Sequence, residues 1–470
     1  MSLLSFLKSK LSVEPTGFLY FVTLIFSGSL GTNLLLYKAC DPTGGIVHRI
    51  GAKCDIETEA QHIVAPINGW KGIIQQVIPM VVTMFAGAWS DRHGQRRQPL
   101  ILGPVIGLII SDILSAFCTI QWSISPWITA VLQSLPLAIS GGSPLMFIGI
   151  FSHVADTTTI EIRTIKYGLV TCTIFLGGIF GMLIYGNIVL MLGFFYTYTV
   201  SIAMGIVNIC LVLIFVKDAT ASYTKKPLVK DIIDTVNPMN IFRSWYGVIS
   251  KTRSRHVSLV LWLVVLLCSP LVNVPLEGEN AVTYLYLRKR FNWNEVDFSI
   301  FNAYQMSILL IGSLISLGLL SHIFKWDDAL IGLLTSFFDL LAAIAFFFAS
   351  EPWQVYCVPL LELFRGAGLA ITGSIASKCV QSDELGSMNS IKLLVECCMQ
   401  GIFLPVYNNV YNATLETMPN AFFLLSTLLT TPLLFLFCVI YFLTRKTAKS
   451  TSKDESTHNQ NETNNVEMNN

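Results

Sequence analysis

Twelve stretches of about 20 mostly apolar residues constrain this chain more than any other feature, because a stretch of that length crosses a bilayer as an α-helix. Only 13% of the 470 residues are charged, whereas soluble domains carry about 25%, so a soluble globular fold is excluded. The stretches form two sets of six and cover residues 16–37, 67–89, 99–121, 126–153, 164–187 and 195–216, then 257–287, 298–320, 328–349, 354–376, 387–407 and 420–443. The sequence therefore predicts an all-α integral membrane protein with twelve transmembrane helices in two six-helix bundles.

The order of spans and polar segments predicts four parts of the chain. They are an N-terminal six-helix bundle (1–216), a basic linker (217–256), a C-terminal six-helix bundle (257–443) and a polar tail (444–470) that we expect to be cytoplasmic and disordered. The basic residues of the linker favour contact with anionic lipid headgroups. The net charge of +1 provides no broad basic surface for nucleic acid, so no nucleic-acid partner is expected.

The distribution of Lys and Arg predicts the orientation. With both termini in the cytoplasm, the cytoplasmic segments hold about three times as many Lys and Arg as the opposite side, as the positive-inside rule requires. Cys40 and Cys54 then share the first non-cytoplasmic loop, where an oxidising compartment would allow a disulfide. Asn412 begins a glycosylation sequon on the same side, whereas the sequon at Asn461 lies in the cytoplasmic tail and is expected to stay unmodified.

The loop between the second and third spans carries the most specific local motif, Gly87-Ala-Trp-Ser-Asp-Arg-His-Gly-Gln-Arg-Arg97. This motif resembles the loop pattern G-x-x-x-D-R-x-G-R-R of the major facilitator superfamily, with Gln95 as the one difference. Its charged groups would lie at the cytoplasmic face, pair with neighbouring helices and separate when the two halves move. We therefore predict a gate, for which the alternative is ordinary positive-inside charge. The charged members of the motif are Asp91, Arg92, Arg96 and Arg97.

A second charged cluster follows the fourth span. It contains Asp156 and, after a short turn, Arg163. In the predicted topology this cluster faces the first motif, so Asp156 could pair with Arg97, or Asp91 with Arg163. We include Asp156 and Arg163 in the predicted gate, and the alternative is a run of solvated loop charges.

Several motifs, taken in order, resemble solute carrier family 46. They are Gly87-Ala-Trp-Ser-Asp91, then Val154-Ala-Asp156 with Arg163-Thr164 about sixty residues later, and Glu384-x-Gly386 with Asn408-x-x-Tyr411-x-Ala413-Thr-Leu near the other end. The resemblance extends over residues 17–443. It implies a major facilitator fold and proton-coupled uptake of organic anions, with folates or bacterial muropeptides as substrates of the family.

Three positions depart from the pattern of the folate transporter in that family. Pro275 stands at a histidine position in span seven, Thr171 at a carboxylate position in span five, and Gly373 at an arginine position in span ten. Asp156 matches the one proton-linked carboxylate that is retained. The resemblance therefore supports membership of the family more strongly than it supports folate as the substrate.

Ionisable residues inside spans cost about 2.5–3.5 kcal/mol each to insert and are therefore candidates for substrate or proton binding. Glu362 with Arg365, and Lys392 with Glu396, are three and four residues apart, so each pair could neutralise itself. Asp112 and Asp339 occupy corresponding places in the two halves, where they either line a cavity or form interhelical hydrogen bonds. The candidate set is Asp112, Glu277, Glu279, Asp339, Arg365, Lys392 and Glu396.

Glu277 and Glu279 are the candidates that we favour as proton carriers. They follow Pro270 and Pro275 in a span that is therefore predicted to be broken, and broken helices mark binding sites in transporters. No Lys or Arg is nearer in sequence than Arg288, so a partly desolvated carboxylate here could bind a proton near neutral pH. The alternative is that this segment lies at the wet outer surface.

No phosphate-binding glycine loop, catalytic triad order or metal-ligand cluster occurs in the sequence, so neither an enzyme nor a cofactor is predicted. We predict a secondary transporter that moves a small organic anion with protons by alternating access. The alternative is a membrane receptor or scaffold that uses the same fold without transport. A multi-pass protein of the plasma or endolysosomal membrane is expected, and the substrate and the oligomeric state stay open.

Overall fold

The computed structural model describes residues 13–41, 54, 56–92, 96–157, 160–217, 246, 248–380 and 385–467. Only the backbone is described for residues 87–88, 91–92, 155, 160–165, 167–168, 317–318, 321–322, 369, 385–387 and 446–467. The regular secondary structure of the described residues is entirely helical. This confirms the predicted all-α class.

Six helices form the described part of the first half, and the longest of them packs against the first and the third. Their bounds are α1 Glu14–Cys40, α2 Glu57–Arg92, α3 Gln98–Ile120, α4 Pro126–Ile139, α5 Gly142–Thr157 and α6 Ile160–Phe215. Gly141 has φ +89° between α4 and α5, and Gly193 has φ +76° inside α6. Because glycine adopts positive φ at little cost, these two residues set the points at which the helices break.

The second half is less regular. Its α-helices are α7 Arg255–Leu263, α8 Ser269–Phe291, α9 Glu295–Leu314, α10 Asp328–Phe348, α11 Pro352–Cys357, α12 Gly368–Lys378, α13 Leu385–Thr414 and α14 Phe422–Glu467. The π-helical segments Val264–Cys268 and Ile315–Ile323 and the 3₁₀ segment Val358–Ala367 connect some of them.

Nine helical stretches among the described residues are long and apolar enough to cross a membrane. Predicted spans two and eight fall in α2 and α9, which are not among the nine. Spans five and six fall together in one stretch, Leu169–Phe215, which runs through the break at Gly193. The count by length and hydropathy is therefore lower than the predicted twelve, because α2 is rich in polar residues and because the two spans on either side of the kink at Gly193 count as one stretch.

The irregular part of span seven lies before the glutamates rather than at them. The π-helical turn Val264–Cys268 directly precedes Pro270, and the Ser269 N–H donates to the carbonyl five residues earlier. A π turn accommodates the backbone around a proline, which has no N–H to donate. α8 then continues through Glu277 and Glu279, so the predicted break at these two residues is wrong.

The buried apolar residues in the described part of the chain form three clusters, and their membership shows where the two halves pack together. The largest combines both halves and includes Cys40, Cys54, Tyr286 of α8 and Phe422 of α14. The other two clusters each belong to one half. We call the region around Cys40 and Cys54 the disulfide end. The halves thus share one core at the disulfide end and have separate cores toward the other end.

The C-terminal residues differ from the sequence prediction. We expect a disordered tail over residues 444–470, but α14 continues as a helix to Glu467. After Pro432 the chain contains neither Pro nor Gly, so no residue type that breaks helices interrupts the hydrogen-bond ladder. Most of the predicted linker, 217–256, lies outside the described residues.

Gly312 provides a test of the packing of α9 on the segment Val358–Ala367. A Cβ atom at Gly312 would overlap the backbone carbonyl oxygen of Leu363, which cannot rotate away. We expect Gly312→Ala to lower the free energy of unfolding by about 3 kcal/mol or more. Gly28→Ala is the matched control, because a Cβ there meets no atom within 4 Å. Thermal unfolding of the purified variants measures both, and equal stability of the two would contradict the packing.

Candidate functional site

Arg365 lies at the centre of a buried charged cluster in the second half. Its Nη1 is 2.7 Å from Oε2 of Glu279 on α8 and also binds Glu362. Its Nε is 3.9 Å from Oδ1 of Asp339 on α10. The four side chains are each at most 12% exposed. The cluster therefore places three carboxyl groups around one guanidinium.

The three carboxyl groups differ in their hydrogen bonds. Glu362 accepts a second hydrogen bond, of 2.7 Å, from Nε2 of Gln305 on α9. Asp339 Oδ1 and Arg365 Nε have no hydrogen-bond partner among the described residues, because the 3.9 Å between them is too long for a hydrogen bond. Asp339 is therefore the least compensated carboxyl of the cluster.

Two expectations from the sequence need correction here. Glu279 does have a cationic partner, Arg365, and Glu362 does not neutralise Arg365 alone, because it shares the guanidinium with Glu279. The reason is tertiary: Glu279 and Arg365 are 86 residues apart and meet only because α8 packs beside the segment Val358–Ala367. Glu277 is half-buried on α8.

The other predicted pair in the second half lies on α13. Lys392 Nζ is 3.5 Å from Glu396 Oε1, one helical turn apart. Ser269 at the start of α8 also donates a hydrogen bond to Glu396. These contacts compensate the charges of both residues locally.

Asp112 forms interhelical hydrogen bonds in the first half. Ser27 of α1 donates to its Oδ1, and Ser201 of α6 donates to its Oδ2 at 2.6 Å. The residue is 1% exposed. Of the two roles that the sequence leaves open, this geometry favours hydrogen bonding between α1, α3 and α6.

The structure describes the side chains of some of the predicted gate residues. Arg97 Nε lies 2.7 Å from Asp156 Oδ2, so the two loops do meet as one of the two proposed pairings requires. Arg97 Nη1 also binds the hydroxyl of Ser90, which donates to the carbonyl of Arg96. The side chains of the other three predicted members, Asp91, Arg92 and Arg163, lie outside the described residues.

A second buried arginine joins the two halves at the disulfide end. Arg288 of α8 binds Glu57 of α2 at 3.0 Å and Glu295 of α9 at 2.9 Å, and it is 2% exposed. Asn33 of α1 donates to Glu295 at 3.0 Å and accepts a 2.9 Å hydrogen bond from Tyr284 of α8. We call these five residues the cross-half cluster.

Further polar contacts cross between the halves at the same end. Tyr411 of α13 donates to Gln61 at 2.7 Å, and Asn412 lies 2.5 Å from the His62 ring. Asn412 thus lies in the last turn of α13 against α2, not in the turn that follows, and its glycosylation stays a prediction. Cys40 and Cys54 are joined by a disulfide that connects the end of α1 to the region before α2.

Sequence reasoning missed the cross-half cluster. Arg288 lies just after predicted span seven, although α8 continues past it to Phe291. Glu57 lies before predicted span two, because α2 begins ten residues earlier than that span. One signal was present: Asn33 is a polar residue inside an apolar span. The pairing itself has no local signal, because Arg288 and Glu57 are 231 residues apart.

The cross-half cluster predicts a large effect of removing its cation. Arg288→Met leaves Glu57 and Glu295 buried without a positive charge, so we expect a loss of about 3–5 kcal/mol in the free energy of unfolding. Arg290, two residues later and exposed, is the matched control, and Arg290→Met should stay within about 0.5 kcal/mol. Unfolding of the purified proteins measures both, and similar effects would refute the energetic role of the cluster.

Comparison with known proteins agrees with this architecture. The family model of the Major Facilitator Superfamily matches residues 16–404. The chain is 23% identical over 449 residues to the "Probable peptidoglycan muropeptide transporter SLC46" of Drosophila melanogaster, covering 87% of this chain and 81% of the relative. It is also 23% identical to the "Lysosomal proton-coupled steroid conjugate and bile acid symporter SLC46A3" of Bos taurus, over 93% and 95% of the two chains.

A solved structure shares the fold. A POT family transporter in complex with a thioalcohol conjugated peptide superposes with a TM-score of 0.62 at 16% identity, covering 92% of this chain and 96% of that one. The family match extends over most of the chain, and these curated relatives are members of solute carrier family 46. The chain therefore belongs to the major facilitator superfamily.

Proposed function

We propose that this membrane transporter moves a small organic anion together with protons by alternating access between two bundles of six membrane helices, residues 1–216 and 257–443. The observation that carries the proposal is the buried cluster of Arg365 with three carboxyl groups. Transport, rather than catalysis, is the activity of this superfamily and of the curated relatives.

The charge of the Arg365 cluster requires compensation. If Glu279, Glu362 and Asp339 were all ionised, one guanidinium would leave two negative charges uncompensated inside the membrane-spanning part of the fold. An ionised side chain there costs about 2.5–3.5 kcal/mol on insertion scales, and more where no partner is near. Each bound proton removes one of these charges and its cost. The cluster is therefore a proton-binding site.

Asp339 is the carboxyl that we assign to proton exchange. The groups that face it are Arg365, Glu362 and Glu279. Glu279 and Glu362 both bind Nη1 of the arginine, whereas Asp339 reaches only its Nε, at 3.9 Å. A proton on Asp339 therefore disrupts no close ion pair. This revises the expectation from the sequence, which favoured Glu277 and Glu279.

α8 provides the physical connection between proton binding and movement of the halves. Glu279 of the proton site and Arg288 of the cross-half cluster are both on α8, nine residues and therefore about 13 Å apart along the axis. A change in how Arg365 holds Glu279 shifts the same helix that holds Glu57 of the opposite half. Proton binding and closure of the disulfide end are thereby coupled through one rigid element.

The packing supports an inward-facing conformation. The halves share an apolar core and polar contacts at the disulfide end, and have separate cores toward the other end. With both termini cytoplasmic, as the positive-inside rule favours, the disulfide end is non-cytoplasmic and closed. In this topology the Arg97–Asp156 pair lies at the cytoplasmic face, joins two segments of the first half and is intact while that face is open.

The substrate class is an organic anion. The names of the two relatives include muropeptides in one case, and steroid conjugates and bile acids in the other. Bile acids and muropeptides both carry acidic groups, and we propose that a solute of this chemistry, or a folate-like one, is carried across the plasma or endolysosomal membrane. A receptor or scaffold without transport would not need an unbalanced charged cluster contributed by several helices.

Asp339→Asn tests the proton site. Wild-type uptake of radiolabelled taurocholate, muramyl dipeptide or folic acid should be several-fold faster at about pH 5.5 than at about pH 7.5, because Asp339 is protonated at the lower pH. Asn carries no charge at either pH, so the ratio of the two rates should fall to about one. Asp327→Asn, at the exposed start of the same helix, is the control and should keep the wild-type ratio. A wild-type pH profile in Asp339→Asn would show that Asp339 is not the residue that exchanges the proton.

A charge exchange tests the gate. Arg97→Asp and Asp156→Arg each place two like charges within about 3 Å, so each should reduce uptake at unchanged surface abundance. The double variant restores opposite charges and should recover a large part of the activity. Double-variant uptake no better than that of the weaker single variant would show that the pair has no role in gating.

A further inference from the structure

Lys71 of α2 is a charged side chain that neither the proton site nor the gate uses. Among the described residues its Nζ has one hydrogen-bond contact, 3.5 Å from Oε1 of Gln133 on α4, at the limit of a hydrogen bond. No carboxylate of the described residues lies within ion-pair distance of it. A lysine in such a position is costly unless something else supplies negative charge.

Lys38 shows what a compensated lysine looks like in the same half. Its Nζ donates to the carbonyl oxygens of Trp122 and Ile124 at 3.0 and 2.9 Å, and it lies 5.1 Å from the centre of the Trp122 ring. Lys38 therefore has structural partners for its charge. Lys71 has none of comparable quality among the described residues.

Lys71 opens on a cavity of about 50 Å³ between α1, α2, α3, α4 and α6. A water molecule needs about 10–15 Å³ on this measure, so the cavity has room for a few water-sized groups, as a carboxylate or sulfate requires. The hydroxyls of Ser27, Ser111 and Ser115 also line it. Each of them already donates its hydrogen elsewhere, to Asp112 or to a backbone carbonyl.

Gln75 is a further donor in the wall of the cavity, which Gln133 and Tyr198 also line. It is one helical turn after Lys71, so both side chains are on the same face of α2. None of the described residues forms a hydrogen bond with its amide. Lys71 and Gln75 thus present an ammonium and an amide N–H to the same small space, and such paired donors suit an anion.

Lys71 also lines an apolar groove of about 170 Å³. Trp70 of α2 and Trp127 of α4 are among the residues that line it. A ligand with one acidic group and an apolar body matches this combination of a cationic side chain, a small polar cavity and an aromatic groove.

We propose that Lys71 and Gln75 form the anion-binding subsite for the transported solute, which carries a single carboxylate, sulfate or phosphate on an apolar body. The proposal rests on the proposed transport of organic anions and adds the residues that select the charge. The Arg365 cluster cannot serve this purpose, because its excess of carboxyl groups repels anions. The anion is then held in the first half and the proton in the second.

The test measures binding separately from transport. Purified full-length protein is titrated with cholate, and with cholate methyl ester as the neutral match, while the shift in unfolding temperature is recorded. Binding to the native state raises that temperature. We expect cholate to bind more tightly than the ester.

Lys71→Met should weaken cholate binding about 10- to 100-fold, whereas Lys71→Arg keeps the charge and should retain most of the affinity. Lys38→Met is the control, which lowers stability without changing cholate affinity.

The possible outcomes separate the subsite from the proposed function. Equal binding of cholate by wild type and Lys71→Met, or no stabilisation of wild type by cholate, overturns the subsite. Lys71-dependent stabilisation by phosphatidylglycerol but not by cholate also overturns it, because the groove then binds lipid. If cholate binding depends on Lys71 while wild type shows no acid-stimulated uptake, the subsite stands and proton-coupled transport fails.

Discussion

Charge that is removed from water is the constraint on which this structure depends. Inside membrane-spanning helices each ionised group must find a partner, lose its charge or distort its surroundings. The chain meets this requirement in different ways. Arg288 binds two carboxylates at close range and joins the halves, whereas Arg365 sits among three and leaves Asp339 without a hydrogen bond at Oδ1. Both arrangements hold more carboxyl groups than cations, but both carboxyls of the first contact Arg288 closely, whereas Asp339 in the second reaches its arginine only at 3.9 Å.

The location of these clusters on shared helices gives them a common mechanical element. α8 holds both Glu279 and Arg288, and α9 holds both Gln305 and Glu295. Two helices therefore connect the buried carboxyls of the second half with the contacts that close the disulfide end. In the proposed mechanism, changes in protonation and changes in closure act on the same helices, so each affects the energy of the other.

The sequence predicts the class of fold and most helices, because apolar stretches of about 20 residues need no tertiary information to be recognised. The predicted topology also places Asp156 and Arg97 at the same face, and one of the two pairings that it suggests, Asp156 with Arg97, is present. The sequence does not predict ion pairs between residues that are far apart along the chain. Glu57 and Arg288, or Glu279 and Arg365, meet only after the helices pack, and no local pattern reports this. The break in span seven was misplaced for a related reason: prolines indicate irregular backbone without indicating which turn absorbs it.

That turn, Val264–Cys268, has a consequence for the faces of the helix. A π-helical turn accommodates one residue more than an α-helical turn, and one residue corresponds to about 100° of rotation around the axis. The phase of side chains in Ser269–Phe291 is therefore offset from that in Arg255–Leu263. Were the segment ordinary α-helix, Glu279 would point about a quarter turn away from Arg365. The angular position of Glu279, and with it of the proposed proton site, is thus set eleven residues before it, by a segment that contains no ionisable side chain except the thiol of Cys268.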